Sequence, residues 1–431
     1  MEVRQWQREL ENVAEPKSTS PFSRDYQRLQ KRRAILSEAA QLFNVQGARA
    51  TTLDDISARL DLNKASLYYY VKSKDDLVFQ CYRASCEAFE AMVDEAESAG
   101  IVGAGKLATF VRAVFVTWKE IGEGRRDHMA ILSEMRGLKP GHREQLAARY
   151  NAILDRIRNL VSEGVTDGSL QACNPTDAAL ALFGLVQLTV LWLPGLVTDR
   201  FAAAAESFID IVFNGVAAQD WAPPTGMASA VGKDGPGAEG PPGDKSQAFC
   251  RAASSFFNSK GFKGTSLDEI AERIGVTKGS FYHHVSDKDD LLYQCFRRSL
   301  DIIEAVQDQS SRLGENGLDA LQRAAFELFR VQTGPAGPLI RFNLIPSLEE
   351  PQRQEILDDI RRISGGFGAM LQRGIADGSV RAVDPFIAEQ VLISAIDLST
   401  ELQWLRPVRD PEADCWSFFQ FYFSGLNART Y

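Results

Sequence analysis

The chain has 431 residues, of which 45% are hydrophobic and 24% charged, and its formal net charge is −9 at pH 7. This composition excludes a largely disordered chain, and the acidic balance argues against a protein that packages nucleic acid through a surface coated in basic residues. There is no run of roughly 18 apolar residues that would form a membrane-spanning helix, and the start, MEVRQWQRELEN, is unlike a secretory signal. We therefore expect a cytoplasmic protein without a membrane partner.

The first feature after an N-terminal extension (residues 1–23) is a basic segment, RDYQRLQKRR, at residues 24–33. It contains five basic residues and one acidic residue, which fits either an arm that attracts phosphates or the solvated first turns of a helix. Apolar residues then recur at intervals of three and four, at Ile35, Ala39, Leu42 and Phe43. This spacing predicts a helix with one buried face.

A repeat dominates the chain. Residues 47–77 (GARATTLDDISARLDLNKASLYYYVKSKDDL) return as residues 261–291 (GFKGTSLDEIAERIGVTKGSFYHHVSDKDDL), and about fourteen of the thirty-one aligned positions are identical. Further along, Asp167-Gly168-Ser169 and Asp377-Gly378-Ser379 correspond at an offset of about 210 rather than 214. The repeat therefore extends over the whole folding unit, and two related units lie in one polypeptide.

The second copy of the repeat has the pattern of a helix-turn-helix. Thr265 and Ser266 can cap a short helix from Leu267 to Ile274, Gly275 turns the chain, and Thr277 can cap a second helix that begins at Lys278. In such a motif the first helix crosses the DNA backbone, and the second places its N-terminal residues at base edges in the major groove.

The candidate DNA-binding residues follow from this placement. Thr51, Thr52, Lys64, Tyr68 and Lys74 are expected at phosphates, whereas the recognition helices would carry base contacts. The full set comprises Thr51, Thr52, Asn63, Lys64, Ala65, Ser66, Tyr68, Tyr69 and Lys74 in the first copy and Thr265, Ser266, Thr277, Lys278, Gly279, Ser280, Tyr282, His283 and Lys288 in the second.

These residues resemble the N-terminal domain of the TetR family of bacterial transcriptional regulators, whose pattern reads T-x-x-x-I-A-x-x-x-G-V-[ST]-x-G-x-x-Y-x-H-[FV]-x-x-K-x-x-L. The second copy matches at Ser266, Ile270, Ala271, Gly275, Val276, Thr277, Gly279, Tyr282, His284, Val285, Lys288 and Leu291. The first copy departs from it at Asp61, Asn63, Ala65 and Tyr70. Asp61 places a negative charge near the expected phosphate, so the first copy could be either a working reader or a decayed one.

The resemblance implies a helical C-terminal domain that binds an effector and dimerises through its last two helices. The apolar segments 175–193 and 201–216, and 385–404 and 415–426, fit those helices. Since family members act as homodimers, the chain is expected to work as an intramolecular pseudo-dimer, with further self-association possible. The alternative is two units that do not pack on each other and are joined only by the linker.

The expected fold is all-α, with two tandem units. The domains are the extension (1–23), a first helix-turn-helix domain (24–78), a first effector and dimerisation domain (79–217), a Gly/Pro-rich flexible linker (218–245), a second helix-turn-helix domain (246–292) and a second effector and dimerisation domain (293–431).

The expected partners are a double-stranded DNA operator and a small, apolar effector, because the middle helices are rich in aromatic residues and methionine. Each of these residues is more typical of a core than of a pocket. They are Phe110, Phe115, Trp118, Met129, Met135, Phe326, Phe329, Phe342, Phe367 and Met370. The break at residues 333–338 (TGPAGP) is expected to interrupt a helix, and such a break can either open a cavity or end the helix. The C-terminal halves are similar to family members that regulate lipid or sterol breakdown and sense acyl-CoA thioesters, so a lipid or acyl-CoA is one candidate effector.

Catalysis, a cofactor and a metal site are not expected. The segment from Gly100 to Leu107 nearly spells a phosphate-binding loop, but Leu107 stands where a hydroxyl residue must bind magnesium and no strand precedes it. The six cysteines lack the paired spacing of a zinc or redox site, and the pattern favours small buried side chains.

Overall fold

The computed structural model describes residues 23–132, 135–218, 245–277 and 285–428, together with Pro224 and Gly279. The extension up to residue 22, most of the expected linker and four candidate DNA-binding residues lie outside these ranges. Those four are Lys278, Ser280, Tyr282 and His283.

The described residues form helices without a strand, which confirms the all-α prediction. The first half contains α1 (Arg24–Ala50), α2 (Leu53–Arg59), α3 (Lys64–Tyr68), α4 (Lys74–Ser98), α5 (Gly103–Gly122), α6 (Pro140–Asp167), α7 (Pro175–Leu188) and α8 (Phe201–Asn214). The second half contains α9 (Lys245–Gly264), α10 (Leu267–Arg273), α11 (Lys288–Leu313), α12 (Gly317–Thr333), α13 (Glu350–Asp377), α14 (Pro385–Leu405) and α15 (Pro411–Phe423). No helix in the described ranges is both long and apolar enough to cross a membrane.

The glycine-rich segment 100–107 spans the junction between α4 and α5, and its residues from Gly103 onward form the first turn of α5. The backbone N–H of Gly103 donates to Asp167 Oδ2 at 2.7 Å, and a Cβ on Gly103 would lie 2.3 Å from the backbone nitrogen of Gly164. Gly317 meets Gly374 in the same way in the second half. These glycines are therefore explained by close packing of two helix backbones.

The helix that begins at Pro175 is shorter than predicted. Asn174 and Asp384 cap α7 and α14 with their side chains, but α7 ends at Leu188 and gives way to short 3-10 turns, whereas α14 continues to Leu405. Pro194 lies in these turns, and a proline cannot supply the amide hydrogen that a continuing helix needs. The predicted end of α12 at the TGPAGP break is confirmed.

The halves meet through α7 and α8 of the first half and α14 and α15 of the second. The backbone N–H of Val216 donates to the carbonyl of Tyr422 at 2.8 Å, and that of Leu426 donates to the carbonyl of Val212 at 3.1 Å. Adding 210 to Val212 and Val216 gives Tyr422 and Leu426, so the two bonds exchange roles as the contacts of a two-fold interface do.

Candidate functional site

The first helix-turn-helix is fixed by two side-chain caps. The Thr52 hydroxyl accepts a hydrogen bond from Asp55 N–H at 3.0 Å, and Asp55 Oδ2 accepts from Thr52 N–H at 2.7 Å, which forms a capping box at the start of α2. These bonds lower the pKa of Asp55. Asn63 Oδ1 accepts from Ser66 N–H at 2.8 Å and so starts α3.

The turn between α2 and α3 keeps its shape although Asp61 replaces glycine. Asp61 has a φ of 51° and its counterpart Gly275 has a φ of 70°, so both lie in the left-handed region. The next residue closes the turn in each copy, since Leu62 N–H donates to Ser57 and Val276 N–H to Ala271. Aspartate tolerates this conformation better than most residues, because its short polar side chain bonds locally. The first helix-turn-helix domain, residues 24–78, therefore retains helix-turn-helix geometry. We call this domain the first head and its counterpart, residues 246–292, the second head.

The candidate residues of the first head are mostly on its surface. Tyr68 and Tyr69 have 49% and 64% of their surface exposed, which is unusual for large aromatic residues. Thr52, Asn63 and Ala65 are also exposed, and Ser66 and Lys74 are half-buried. Lys64 begins α3 through its backbone, but its side chain lies outside the described atoms. α3 and its caps therefore present Asn63, Tyr68 and Tyr69 to solvent.

The expectation that Thr51 and its counterpart Thr265 contact DNA needs a correction. Their exposed fractions are 0% and 3%, and their hydroxyls donate to the carbonyls of Gly47 at 2.9 Å and Gly261 at 2.8 Å. A hydroxyl that is buried and committed to a backbone carbonyl cannot reach a phosphate in this conformation. We therefore leave both threonines out of the proposed contact set.

In the second head, Ser266, Thr277 and Gly279 are exposed. Ser266 is the N-cap of α10 but makes no side-chain capping bond, so the predicted capping role is not seen there. Lys288 lies at the start of α11, with its Nζ 4.5 Å from the centre of the Phe262 ring. The remaining candidates of this head, residues 278, 280, 282 and 283, lie outside the described ranges.

The basic segment 24–33 is part of α1 rather than an extended arm. The Arg28 guanidinium lies 5.1 Å from the centre of the Tyr69 ring, and Arg32 donates to Gln80 at 2.9 Å. Arg33 pairs with Asp127 at 2.8 Å. The basic segment is therefore helical, and Arg28 lies beside the exposed face of α3.

Each head is attached to its own half by an asparagine. Asn44 Nδ2 donates to the Met129 carbonyl at 2.7 Å and its Oδ1 accepts from Ile131 N–H at 2.8 Å. Asn258 makes the matching bonds to Leu339 and Arg341, at 2.8 and 3.1 Å. Sequence reasoning missed this pair, although a polar residue repeated beside an apolar helical stripe was a visible signal.

Each head also contacts the opposite half. α1 packs on the 3-10 turn Phe342–Ser347, and α9 packs on the 3-10 turn Met135–Gly137. At the first contact, a Cβ on Gly47 would lie 2.2 Å from the Pro346 carbonyl oxygen. At the second, a Cβ on Gly261 would be 3.6 Å from the Gly137 nitrogen. The orientation of either head therefore depends on both halves.

A cavity of about 350 Å³ lies between the halves, next to the second head. Its apolar wall is formed by Leu132, Met135, Leu154, Leu180, Leu188 and Leu398. Polar side chains, including Arg143, Tyr150, Asn151, Gln187, Asn343 and Glu401, complete it. An outer recess shares Arg143 and Ala147 with the cavity and is bordered by Ser259 and Lys260 of α9. A space of this size and character suits a small organic molecule.

Arg341, in the cavity wall, belongs to a buried charge cluster. It pairs with Asp397 at 3.4 Å and with Glu401, while Asp397 Oδ1 accepts from Phe342 N–H at 2.8 Å. Burial works against the charge of Arg341, but the two carboxylates outweigh it and raise its pKa. Burial also raises the pKa of Asp397, against the opposing effect of Arg341.

Most of the aromatic residues and methionines singled out in the sequence are buried in the core, as that pattern favours. Phe110, Phe115, Met129, Phe326, Phe329, Phe367 and Met370 have at most 6% of their surface exposed. Met135 instead lines the cavity between the halves, and Trp118 and Phe342 are partly buried against the core. Five cysteines are buried and Cys173 is half-buried; burial raises the pKa of the Cys86 thiol to about 12.

Comparison with known proteins agrees with this architecture. The sequence profile of the family "Bacterial regulatory proteins, tetR family" matches residues 35–81 and 250–295, and that of "Tetracyclin repressor-like, C-terminal domain" matches residues 103–216. The chain is similar to the transposon Tn10 TetC protein of Escherichia coli, with 26% identity over 34% of this chain and 73% of that protein. It is also similar to the HTH-type transcriptional repressor KstR2 of Mycolicibacterium smegmatis, with 24% identity over 32% of this chain and 69% of that protein.

Solved structures resemble the chain more distantly. The ketosteroid transcriptional regulator KstR2 of Mycobacterium tuberculosis has 19% identity and a TM-score of 0.37, over 43% of this chain and 97% of that one. AibR in complex with isovaleryl coenzyme A and operator DNA has 22% identity and a TM-score of 0.36, over 42% and 96%. These likenesses assign neither a ligand nor an operator. The two helix-turn-helix matches and the C-terminal match place the protein in the TetR family of bacterial regulators, with two family units in tandem in one chain.

Proposed function

We propose that the protein is a ligand-responsive transcriptional repressor that works as a covalent pseudo-dimer and releases its operator when a small, largely apolar effector binds. The observation that carries this proposal is the contact of each head with both halves, at Gly47 against Pro346 and at Gly261 against Gly137. A change in how the halves meet would therefore move both reading heads relative to each other.

The energetic requirement for release is modest. An effector that favours a DNA-incompetent arrangement by a few kcal/mol shifts the population enough to empty the operator. The cavity between the halves gives such an effector a place to act, because residues of both halves line it. Repression rather than activation is inferred from the named role of the repressor KstR2, and a lipid or acyl-CoA effector is inferred from the resemblance of the C-terminal halves.

DNA contact is proposed to come from the exposed face of each helix-turn-helix. In the first head this face comprises Thr52, Asn63, Ala65, Ser66, Tyr68, Tyr69 and Lys74, with Lys64 as a sequence-based member. In the second it comprises Ser266, Thr277 and Gly279, with Lys278, Ser280, Tyr282, His283 and Lys288 as sequence-based members. Because the paired positions differ, for example Asn63 and Thr277, we expect two unlike half-sites.

The alternative is a sensor in which the first head no longer reads DNA. Asp61 and the departures at Asn63, Ala65 and Tyr70 motivate it. Against it stands the preserved turn geometry of Asp61 and Leu62.

Selection of bound sequences from random DNA by the purified chain, at one stated salt concentration, tests the proposal. Two unlike half-sites about one helical turn or more apart would support the pseudo-dimer, and one half-site would support the sensor. Absence of any enrichment would overturn both DNA-binding versions. Lys64→Ala and Lys278→Ala then separate the heads, because comparable losses of affinity require two working readers.

A further inference from the structure

We infer that the chain binds one effector molecule rather than two, in the cavity between its halves. This single molecule would affect the positions of both heads. The expected ligand has an apolar body and one oxygen-rich end that accepts hydrogen bonds. This inference deepens the proposed function and rests on it for its biological meaning, but it is tested without DNA.

The first step is that equivalent positions of the two halves line spaces of different size. Leu132, Tyr150 and Leu154 line the cavity of about 350 Å³, whereas their counterparts Phe342, Ile360 and Ser364 line a space of about 20 Å³. Apart from Ser364, the residues that line the second space are apolar, and the space is too small for an organic ligand. A symmetric dimer would carry two equal sites, but in the described part of this chain these three equivalent positions line a cavity of ligand size in the first half and a space too small for a ligand in the second.

The second step is the contribution of the other half to the open site. Asn258, Arg341, Asn343, Leu398 and Glu401 complete its wall. The positions equivalent to Arg341, Asp397 and Glu401 in the first half are Ile131, Gln187 and Leu191, so the buried charge cluster also occurs once. Arg341 is held by Asp397 and Glu401, and these charges are therefore satisfied by one another and not available to a ligand.

The third step gives the chemistry of the ligand. Leucine and methionine side chains on both sides of the interface form the inner wall, which suits an apolar body. Arg143 lies where the cavity meets the outer recess and makes no side-chain hydrogen bond or ion pair among the described residues. A guanidinium only donates hydrogen bonds, so it would bind an acceptor such as a carboxylate, sulfonate or carbonyl oxygen.

The fourth step connects the site to the heads. Asn258 belongs to α9 of the second head and lines the cavity directly. Arg341 and Asn343 line it as well, and a few residues later Pro346 contacts Gly47 of the first head. A ligand in the cavity therefore contacts one head directly and the other through the turn Phe342–Ser347.

The test uses anilinonaphthalenesulfonate, which has an apolar body and one sulfonate, with the full-length chain. We expect one molecule bound per chain by calorimetry and loss of this binding in Ala147→Trp, because Ala147 lines both the cavity and the recess. The control is Ala148→Trp, the same substitution at the exposed neighbouring position of α6, which should bind like the unmodified chain. Arg143→Met should bind several-fold more weakly because it loses the sulfonate contact and keeps apolar bulk. Thermal unfolding checks that all three variants are folded.

Two bound molecules per chain, no binding, or equal binding by the two tryptophan variants would each overturn the inference. Hydrogen exchange on adding the probe tests the connection to the heads. We expect slower exchange in both α9 and residues 342–347, and slowing confined to α6 and α7 would contradict it. If these results hold while DNA selection fails, the ligand site stands and the repressor function falls.

Discussion

Arg406 of the second half donates two hydrogen bonds to Asp177 of the first, at 2.9 and 2.7 Å, and Asp177 is fully buried. Ser417 also donates to this carboxylate, at 2.6 Å. The counterpart positions are Ile387 and Leu196, so the ion pair occurs in one orientation of the interface. It joins unlike surfaces and favours pairing of the two different halves over pairing of identical ones.

Removing this carboxylate should destabilise the chain strongly. Asp177→Ala is expected to reduce the free energy of unfolding by about 3 kcal/mol, because the Arg406 guanidinium loses a buried partner. Urea denaturation followed by circular dichroism measures the change. As a control, Arg361→Ala breaks an ion pair with Asp358 whose side chains are 70% and 66% exposed, and it should cost less than about 1 kcal/mol. Equal costs would show that the buried pair does not hold the halves together.

The contact between the first head and the opposite half can be isolated with two matched glycines. Gly47 and Gly261 have φ angles of 78° and 70° with ψ angles of 151° and 172°, a region essentially restricted to glycine, so alanine at either should cost about 1–3 kcal/mol of backbone strain. At Gly47 the new methyl group would also collide with the Pro346 carbonyl, whereas at Gly261 the nearest atom is 3.6 Å away. We expect Gly47→Ala to lower the unfolding free energy and the DNA affinity more than Gly261→Ala. Identical effects on stability and operator binding would argue against the contact.

The charge of Asp61 should weaken DNA binding by the first head. Asp61→Asn keeps a residue that tolerates the left-handed turn and removes the negative charge, so affinity for the selected operator should rise about two- to threefold at low salt. Fluorescence anisotropy across a salt series measures it, and the gain should shrink as salt increases. Asp199→Asn, at an exposed turn before α8, serves as the control and should change nothing. An unchanged affinity in Asp61→Asn would favour a decayed first head.

Stability should fall as pH rises through neutrality because of Glu389. Burial raises its pKa to about 7, whereas the pKa of a glutamate in an unfolded chain is about 4.3. The folded state therefore binds this proton more tightly, so its contribution is complete below the unfolded pKa and is lost as pH rises through the folded pKa. From pH 5 to pH 8, the unfolding free energy of Glu389→Gln should rise by about 1 kcal/mol relative to that of the unmodified chain. This figure is reduced because Glu389 is partly exposed to solvent. Urea denaturation at both pH values measures it; Glu315→Gln, at an exposed position, should show no such gain.

Short stretches of sequence predict most of the helices and several of their ends. Apolar spacing of three and four predicts the helices, and the TGPAGP segment predicts the end of α12 at Thr333. The expectation for Pro175–Leu193 was wrong in length, because α7 ends at Leu188 and a 3-10 turn follows it, whereas α14 of the other half continues to Leu405. Thr51 and Thr265 look like surface hydroxyls in the sequence, but packing of the kinked first helix buries both.

The sequence by itself determined the tandem family units, the all-α fold and the position of both helix-turn-helix motifs, because these depend on residues close together in the chain. Only the tertiary structure decided which hydroxyls are buried, that each head contacts both halves, and that equivalent positions line a large cavity in one half and a small space in the other. Those features depend on side chains such as Gly47 and Pro346, or Tyr150 and Arg341, that are far apart in sequence. Which of two equivalent positions encloses space is set by the volumes of all its neighbours together, and no short stretch of sequence contains that information.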